Sequence, residues 1–162
     1  MDRRIITLIS ALAILGVIVL VVVLSGGDSD SDVGTVSDDL SERPVITSSS
    51  EPPPDQVETE DIVAGEGPAA KIGDTVSMQY VGAVYDTGTE FDASWDRGEA
   101  FDFTLGGGEV IEGWDEGIVG MKAGGRRKLV IPPDLAYGAQ GSPPTIPADA
   151  TLTFVVDLEE IK

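Results

Sequence analysis

The chain has 162 residues, 29 acidic and 10 basic, a formal net charge of -19, and no histidine, cysteine or asparagine. That composition excludes Ser-His-Asp triads, Cys-His pairs, thiol redox motifs, His/Cys zinc centres and N-glycosylation sequons. It also argues against nucleic-acid binding, which needs Lys and Arg to neutralise phosphates.

In chain order, the first feature is Ile5–Leu24, a 20-residue run without a charge. As a helix it covers roughly 30 Å, the hydrocarbon thickness of a bilayer. Arg3 and Arg4 precede it and Asp28, Asp30 and Asp32 follow, so the positive-inside rule places the later residues outside the cytoplasm. Residues 1–24 are read as a cytoplasmic stub and a transmembrane signal-anchor. The alternative is a cleaved signal peptide and a secreted product, but the run exceeds the usual h-region and Val21–Gly27 is a poor match to an A-x-A cleavage site. Residues 25–56 are rich in Ser, Asp, Pro and Gly, with no aromatic. They bury too little apolar surface to offset ordering entropy and are read as a disordered acidic linker spanning roughly 30 Å.

Residues 57–162 carry a globular pattern. Thr75–Val81 alternates as a half-buried strand does, and Asp86-Thr87-Gly88 is a turn that sends it back towards Phe91. Phe101–Leu105 alternates again. Ile111, Trp114 and Ile118 lie on one face of a predicted helix, with Lys122 and Gly124 as stop signals. Leu129-Val130-Ile131 is a short strand closed by Pro132-Pro133. Thr151–Ile161 is a long last strand with Leu152, Phe154, Val156 and Leu158 on one side. Antiparallel strands around one amphipathic helix define an α+β domain.

Four groups of residues could carry chemistry. Gly106-Gly107-Gly108 enters a helix as a phosphate loop would, but Glu109 sits where the anion would bind; a tight turn with positive φ is the plainer reading. Asp92 and Asp96 could form an acid–base pair, yet Arg97 nearby favours a charged, structural carboxylate. Arg126-Arg127-Lys128 reads as a solvated face or a patch for anionic lipid. The nine aromatics all lie between Tyr80 and Phe154, and they form either a plain core or the walls of an apolar pocket. The proline-rich loop Pro132–Pro147 suits a flap over such a pocket.

Six stretches then appear in order and spacing: Gly73–Val76, Tyr80–Gly82, Phe91–Ser94, Gly113–Gly117, Ile131–Gly138 and Ile146–Leu152. Together they resemble the FKBP-type peptidyl-prolyl cis-trans isomerases over residues 57–162. The resemblance implies a five- to six-stranded antiparallel sheet wrapped around one short helix, and isomerisation of Xaa–Pro bonds without cofactor or metal. It places catalytic roles on Asp92, Tyr137, Ile111 and Trp114. Trp114 forms the pocket floor, and the Ile111 N–H and Tyr137 hydroxyl bind substrate carbonyls. Substrate-binding roles fall on Tyr80, Phe91, Phe101, Val110 and Phe154, with Arg97 orienting Asp92. The resemblance also implies proline-containing polypeptides and macrolide inhibitors as partners, while the run Ile5–Leu24 adds the membrane and makes exported proteins the expected clients. Ser142 and Pro144-Thr145 depart from the better-known members in the flap, which bears on macrolide affinity and substrate preference. The other function consistent with these residues is a membrane-tethered proline-peptide binding or chaperone module with incidental catalysis.

Overall fold

The structure, a computed structural model, describes residues 36–162. The expected anchor Ile5–Leu24 and the first part of the linker lie outside the described residues. Among the described residues no helix is long and apolar enough to cross a membrane. Six strands run in chain order: β1 Glu58–Ala69, β2 Thr75–Val84, β3 Glu90–Ala93, β4 Phe101–Thr104, β5 Lys122–Ile131 and β6 Leu152–Ile161. One helix, α1 Glu112–Gly117, sits between β4 and β5.

All strand pairings are antiparallel, in the order β1-β5-β6-β2-β3, with β4 also pairing with β2. The centre follows from alternation. On β6, Leu152, Phe154, Val156 and Leu158 face the helix side and are buried with Trp114 and Ile118 in one core cluster. On β2, Val76, Met78 and Tyr80 join that cluster. The helix has only six residues because Ile111 before it is extended (φ -60°, ψ 148°) and Gly120 after it has positive φ (88°). It lies very close to β5: a Cβ on Gly113 would fall 2.3 Å from Ile131 Cγ2. Glycine at 113 is therefore a requirement of the packing.

Two expectations change here. The helix ends before Lys122, and the strand expected at Leu129–Ile131 begins already at Lys122. Arg126-Arg127-Lys128 thus lies within a central strand, and its first two members are not a solvated face. Arg126 is fully buried and Arg127 is 8% exposed. The Arg127 guanidinium donates to both Asp61 carboxylate oxygens (2.6 and 3.0 Å) and to the carbonyls of Gly117 and Val119. It ties β1 to the carboxyl end of α1, where a cation is favoured.

The other surprise is residues 36–51, which belong to the stretch read as a free linker. They form no helix or strand, yet they are tied to the back of the sheet as a strap. Arg126 donates to the Ser37, Asp39 and Glu42 carbonyls (2.7, 3.1 and 2.9 Å) while pairing with both oxygens of Asp157 (2.6 and 2.8 Å). Pro44 is buried. Further on, Ser49 donates its N–H to the Tyr85 carbonyl (2.9 Å), and its hydroxyl lies 3.0 Å from the Tyr85 hydroxyl.

Candidate active site

The pocket is built from the ends of short elements on the helix side of the sheet. Tyr80 projects from β2, Phe91 and Asp92 from β3, Phe101 from β4, and Phe154 from β6. Val110 and Ile111 precede α1, Trp114 comes from α1 itself, and Tyr137 from the loop after β5. These nine, with Glu109, line one cavity of about 180 Å³. Of the ten site residues named from the sequence, only Arg97 stands outside the lining. The alternative of core or pocket resolves to both: Trp114 and Phe154 are each 4% exposed and belong to the core cluster as well as the cavity wall.

The rings meet edge to face, as their quadrupoles favour. Trp114 lies 5.1 Å from Tyr80 at 84° and 5.3 Å from Phe154 at 82°, and Phe91 lies 5.5 Å from Phe154 at 84°. Phe103 packs on Trp114 from the core at 5.6 Å. The apolar floor is therefore braced from several sides.

Polar groups converge at one edge. The Tyr80 hydroxyl donates to Asp92 Oδ2 (2.5 Å), Arg97 Nη1 donates to Asp92 Oδ1 (2.7 Å), and Arg97 Nη2 donates to the Tyr80 hydroxyl (2.8 Å). Asp96, the other carboxylate of the candidate acid–base pair, takes no part in this triangle and instead faces Arg43 (3.3 Å). Partial burial pushes the Asp92 carboxyl up, but the hydrogen bonds from Tyr80 and Arg97 outweigh it and hold it below the usual carboxylate range. Burial, and then the hydrogen bond to Asp92, push the Tyr80 phenol up despite Arg97. Tyr137 is raised by burial and by Asp92. Arg97 is raised by its bonds to Asp92 and Tyr80. Asp92 is thus held as an anion with both oxygens engaged.

The glycine run resolves as a turn. Gly106 and Gly108 have positive φ (74° and 69°), the Gly106 N–H is taken by Asp115 Oδ1 (2.7 Å), and Glu109 Oε2 accepts from the Thr104 N–H (2.7 Å). Glu109 braces the turn that presents Val110 and Ile111. Sequence reasoning gave Glu109 no place in the pocket, although its position next to Val110 was the available signal. Ser94 was also missed: fully buried, its hydroxyl accepts from the Tyr80 N–H (2.8 Å) and donates to Gln79 Oε1 (2.6 Å), locking β3 on β2.

A family model described as FKBP-type peptidyl-prolyl cis-trans isomerase matches residues 67–159. The chain is 50% identical over 118 residues to an FK506-binding protein of Streptomyces anulatus, covering 72% of this chain and 95% of that one. It is 48% identical over 117 residues to a probable FK506-binding protein of Corynebacterium glutamicum, covering 72% and 97%. Among solved structures, the crystal structure of FkpA from Escherichia coli aligns with a TM-score of 0.60 at 48% identity, covering 65% of this chain and 48% of that chain. An apolar cavity floored by a helix-borne tryptophan on an antiparallel sheet, set beside these likenesses, defines a prolyl isomerase domain. The chain belongs to the FKBP-type peptidyl-prolyl cis-trans isomerase family.

The titrating groups lead to a pH prediction. The Asp92 value is depressed in the folded chain, so its contribution is complete above the ordinary carboxylate value near pH 4 and fades as pH falls through the lower folded value. The phenols of Tyr80 and Tyr137 are raised, so their contributions hold below about pH 10 and fade as pH rises through the folded values. Turnover should be flat between about pH 5 and pH 9. A pH–rate profile with a midpoint near neutrality would contradict this assignment.

Proposed function

We propose that the chain is a membrane-anchored, extracytoplasmic prolyl isomerase that assists the folding of exported proteins. The observation that carries the catalytic part is the cavity itself, which brings nine of the ten expected residues together around an aromatic floor. The apolar run Ile5–Leu24 and the charges flanking it support the location.

The proposed mechanism follows from the reaction. Amide resonance sets a barrier of about 18–20 kcal/mol to rotation about an Xaa–Pro bond, and rotation is slow without help. No bond is broken, so no nucleophile is needed. The planar amide is charge-separated by resonance, and the twisted one much less so. Water stabilises the planar form, whereas a wall of Trp114, Phe154, Phe101 and Val110 does not. The pocket therefore binds the twisted state better relative to the planar state, which is the requirement for catalysis. The Tyr137 hydroxyl and Ile111 N–H hold the carbonyls flanking proline, while Asp92, fixed by Arg97 and Tyr80, shapes the polar edge.

The test is a prolyl isomerase assay on the full chain in detergent micelles with an Ala-Leu-Pro-Phe peptide. Turnover should be inhibited by FK506, the ligand in the relatives' names. Tyr137→Phe should lower kcat/KM by about 3–10-fold, the equivalent of one hydrogen bond, with little change in folding. Folded protein without turnover would leave a proline-peptide binding module in its place.

A further inference from the structure

The strap at residues 36–51 precedes the family match, which begins at residue 67. It nevertheless reaches elements that carry the site. After the Arg126 anchor, the chain passes the buried Pro44 and runs along a crevice in which Ile46–Ser49 face Lys128, Thr153 and Val155. It then meets the β2–β3 turn so closely that a Cβ on Gly88 would fall 2.7 Å from the Ser48 nitrogen. Arg43 leaves this path towards the front. Its Nη2 donates to Glu90 Oε1 at 2.5 Å, and its Nε lies 3.3 Å from Asp96 Oδ1.

Those two carboxylates mark the two elements that hold the polar edge of the pocket. Glu90 is the first residue of β3, two positions before Asp92. Asp96 lies in the 3₁₀ turn Trp95–Arg97, directly before Arg97. Both elements are short, and β3 ends the sheet with β2 as its one neighbour. They join through Ser94, which is bonded to β2 and accepts the Arg97 N–H at 2.9 Å, and beyond that backbone link the relation of Asp92 to Arg97 depends on side-chain contacts. The side chains of Arg43 and Glu90 are 35% and 38% exposed, so the ion pair itself adds little to folding stability. Its geometric effect is larger, because one guanidinium hydrogen-bonds Glu90 on β3 and lies within ion-pair range of Asp96 on the turn, without a hydrogen bond there.

We propose that Arg43 is a positioning residue for the isomerase site, bracing β3 and the 95–97 turn from outside the isomerase fold so that Asp92 and Arg97 keep their contact. This rests on the isomerase reading of the cavity. Arg43→Met in the full chain is expected to lower kcat/KM by about 3–10-fold, the range for one lost charge-assisted bond, while the thermal midpoint moves by only a few degrees. Arg43→Lys should restore part of the loss. Asp96→Asn, at a 65% exposed side chain that tolerates change, should weaken turnover in the same direction by about 2–3-fold.

Two readouts separate positioning from plain stabilisation. In an Asp92→Asn background, Arg43→Met should have almost no further effect, since its action passes through Asp92. With Asp92 intact, carbon NMR titration of its carboxyl should show the midpoint rising when Arg43 is replaced, as the bonds from Tyr80 and Arg97 loosen. An unmoved Asp92 titration, or an equal loss in the Asp92→Asn background, would overturn the proposal. The titration decides this even if the wild-type chain shows no turnover, which would instead count against the isomerase reading.

Discussion

Replacing Arg126 with Met is expected to destabilise the domain by about 3–5 kcal/mol, the largest loss from any single change considered for this chain. Arg126 is completely buried at the junction of β5, β6 and the strap. Its removal leaves Asp157, 6% exposed, as a buried charge without its partner. It also leaves the Ser37, Asp39 and Glu42 carbonyls without their donor. Burying unpaired groups of this kind is what makes breaking such a pair expensive. In thermal unfolding the midpoint should fall by roughly 10–20 °C. The double variant Arg126→Met with Asp157→Leu should recover about half of that, because it removes the orphaned charge while the strap carbonyls stay unserved. A loss below about 1 kcal/mol would mean that water reaches Asp157 freely and that the strap is not clamped.

The largest effect on the pocket is expected from Gly82→Ala. A Cβ there would lie 2.6 Å from Phe154 Cε1 and 2.8 Å from Phe91 Cζ. Both rings line the cavity and touch edge to face. Phe154 is 4% exposed and packed within the core cluster, so the new methyl must displace rings that line the cavity. Overpacking of this kind costs about 1–3 kcal/mol of stability. In a cavity of about 180 Å³, a ring shift of a fraction of an ångström removes a large share of the room for a proline ring. Turnover should fall by at least about tenfold, with a raised KM as the main component. Unchanged kcat/KM with intact folding would show that Phe91 and Phe154 are not part of the proline seat.

These two residues also show what could be read in advance. Gly82 and Phe154 belong to β2 and β6, whose alternation is plain in the sequence because one face of each packs on α1. The aromatic walls were legible too, although only the resemblance turned them from a list of rings into a pocket. β1 was not legible. It is an edge strand, mostly exposed, with Glu58, Glu60, Asp61 and Glu66 along it and glycines of positive φ at 65 and 67. No hydrophobic period marks such a strand. The first half of β5 was hidden for the opposite reason, since Arg126 and Arg127 are charged residues in the interior, kept there by Asp157, Asp61 and backbone carbonyls of other segments.

The strap was the least legible part. Composition arguments weigh side chains, and this segment has few that are large and apolar. It is held instead through its own backbone carbonyls, which every sequence possesses. The donor that finds them lies 84–89 positions away. Arg43 was missed for a similar reason: Glu90 is 47 positions distant, and the arginine precedes every stretch that carried the resemblance.

The strap's mode of attachment has a mechanical consequence. A pull applied at residue 36 reaches the sheet at the guanidinium of Arg126, which is rooted in β5, a strand with neighbours on both sides. The load is therefore shared between β5 and, through Asp157, β6. It does not peel the outermost strand one bond at a time. A domain dragged by its N-terminal end would yield at the strap carbonyls before the sheet.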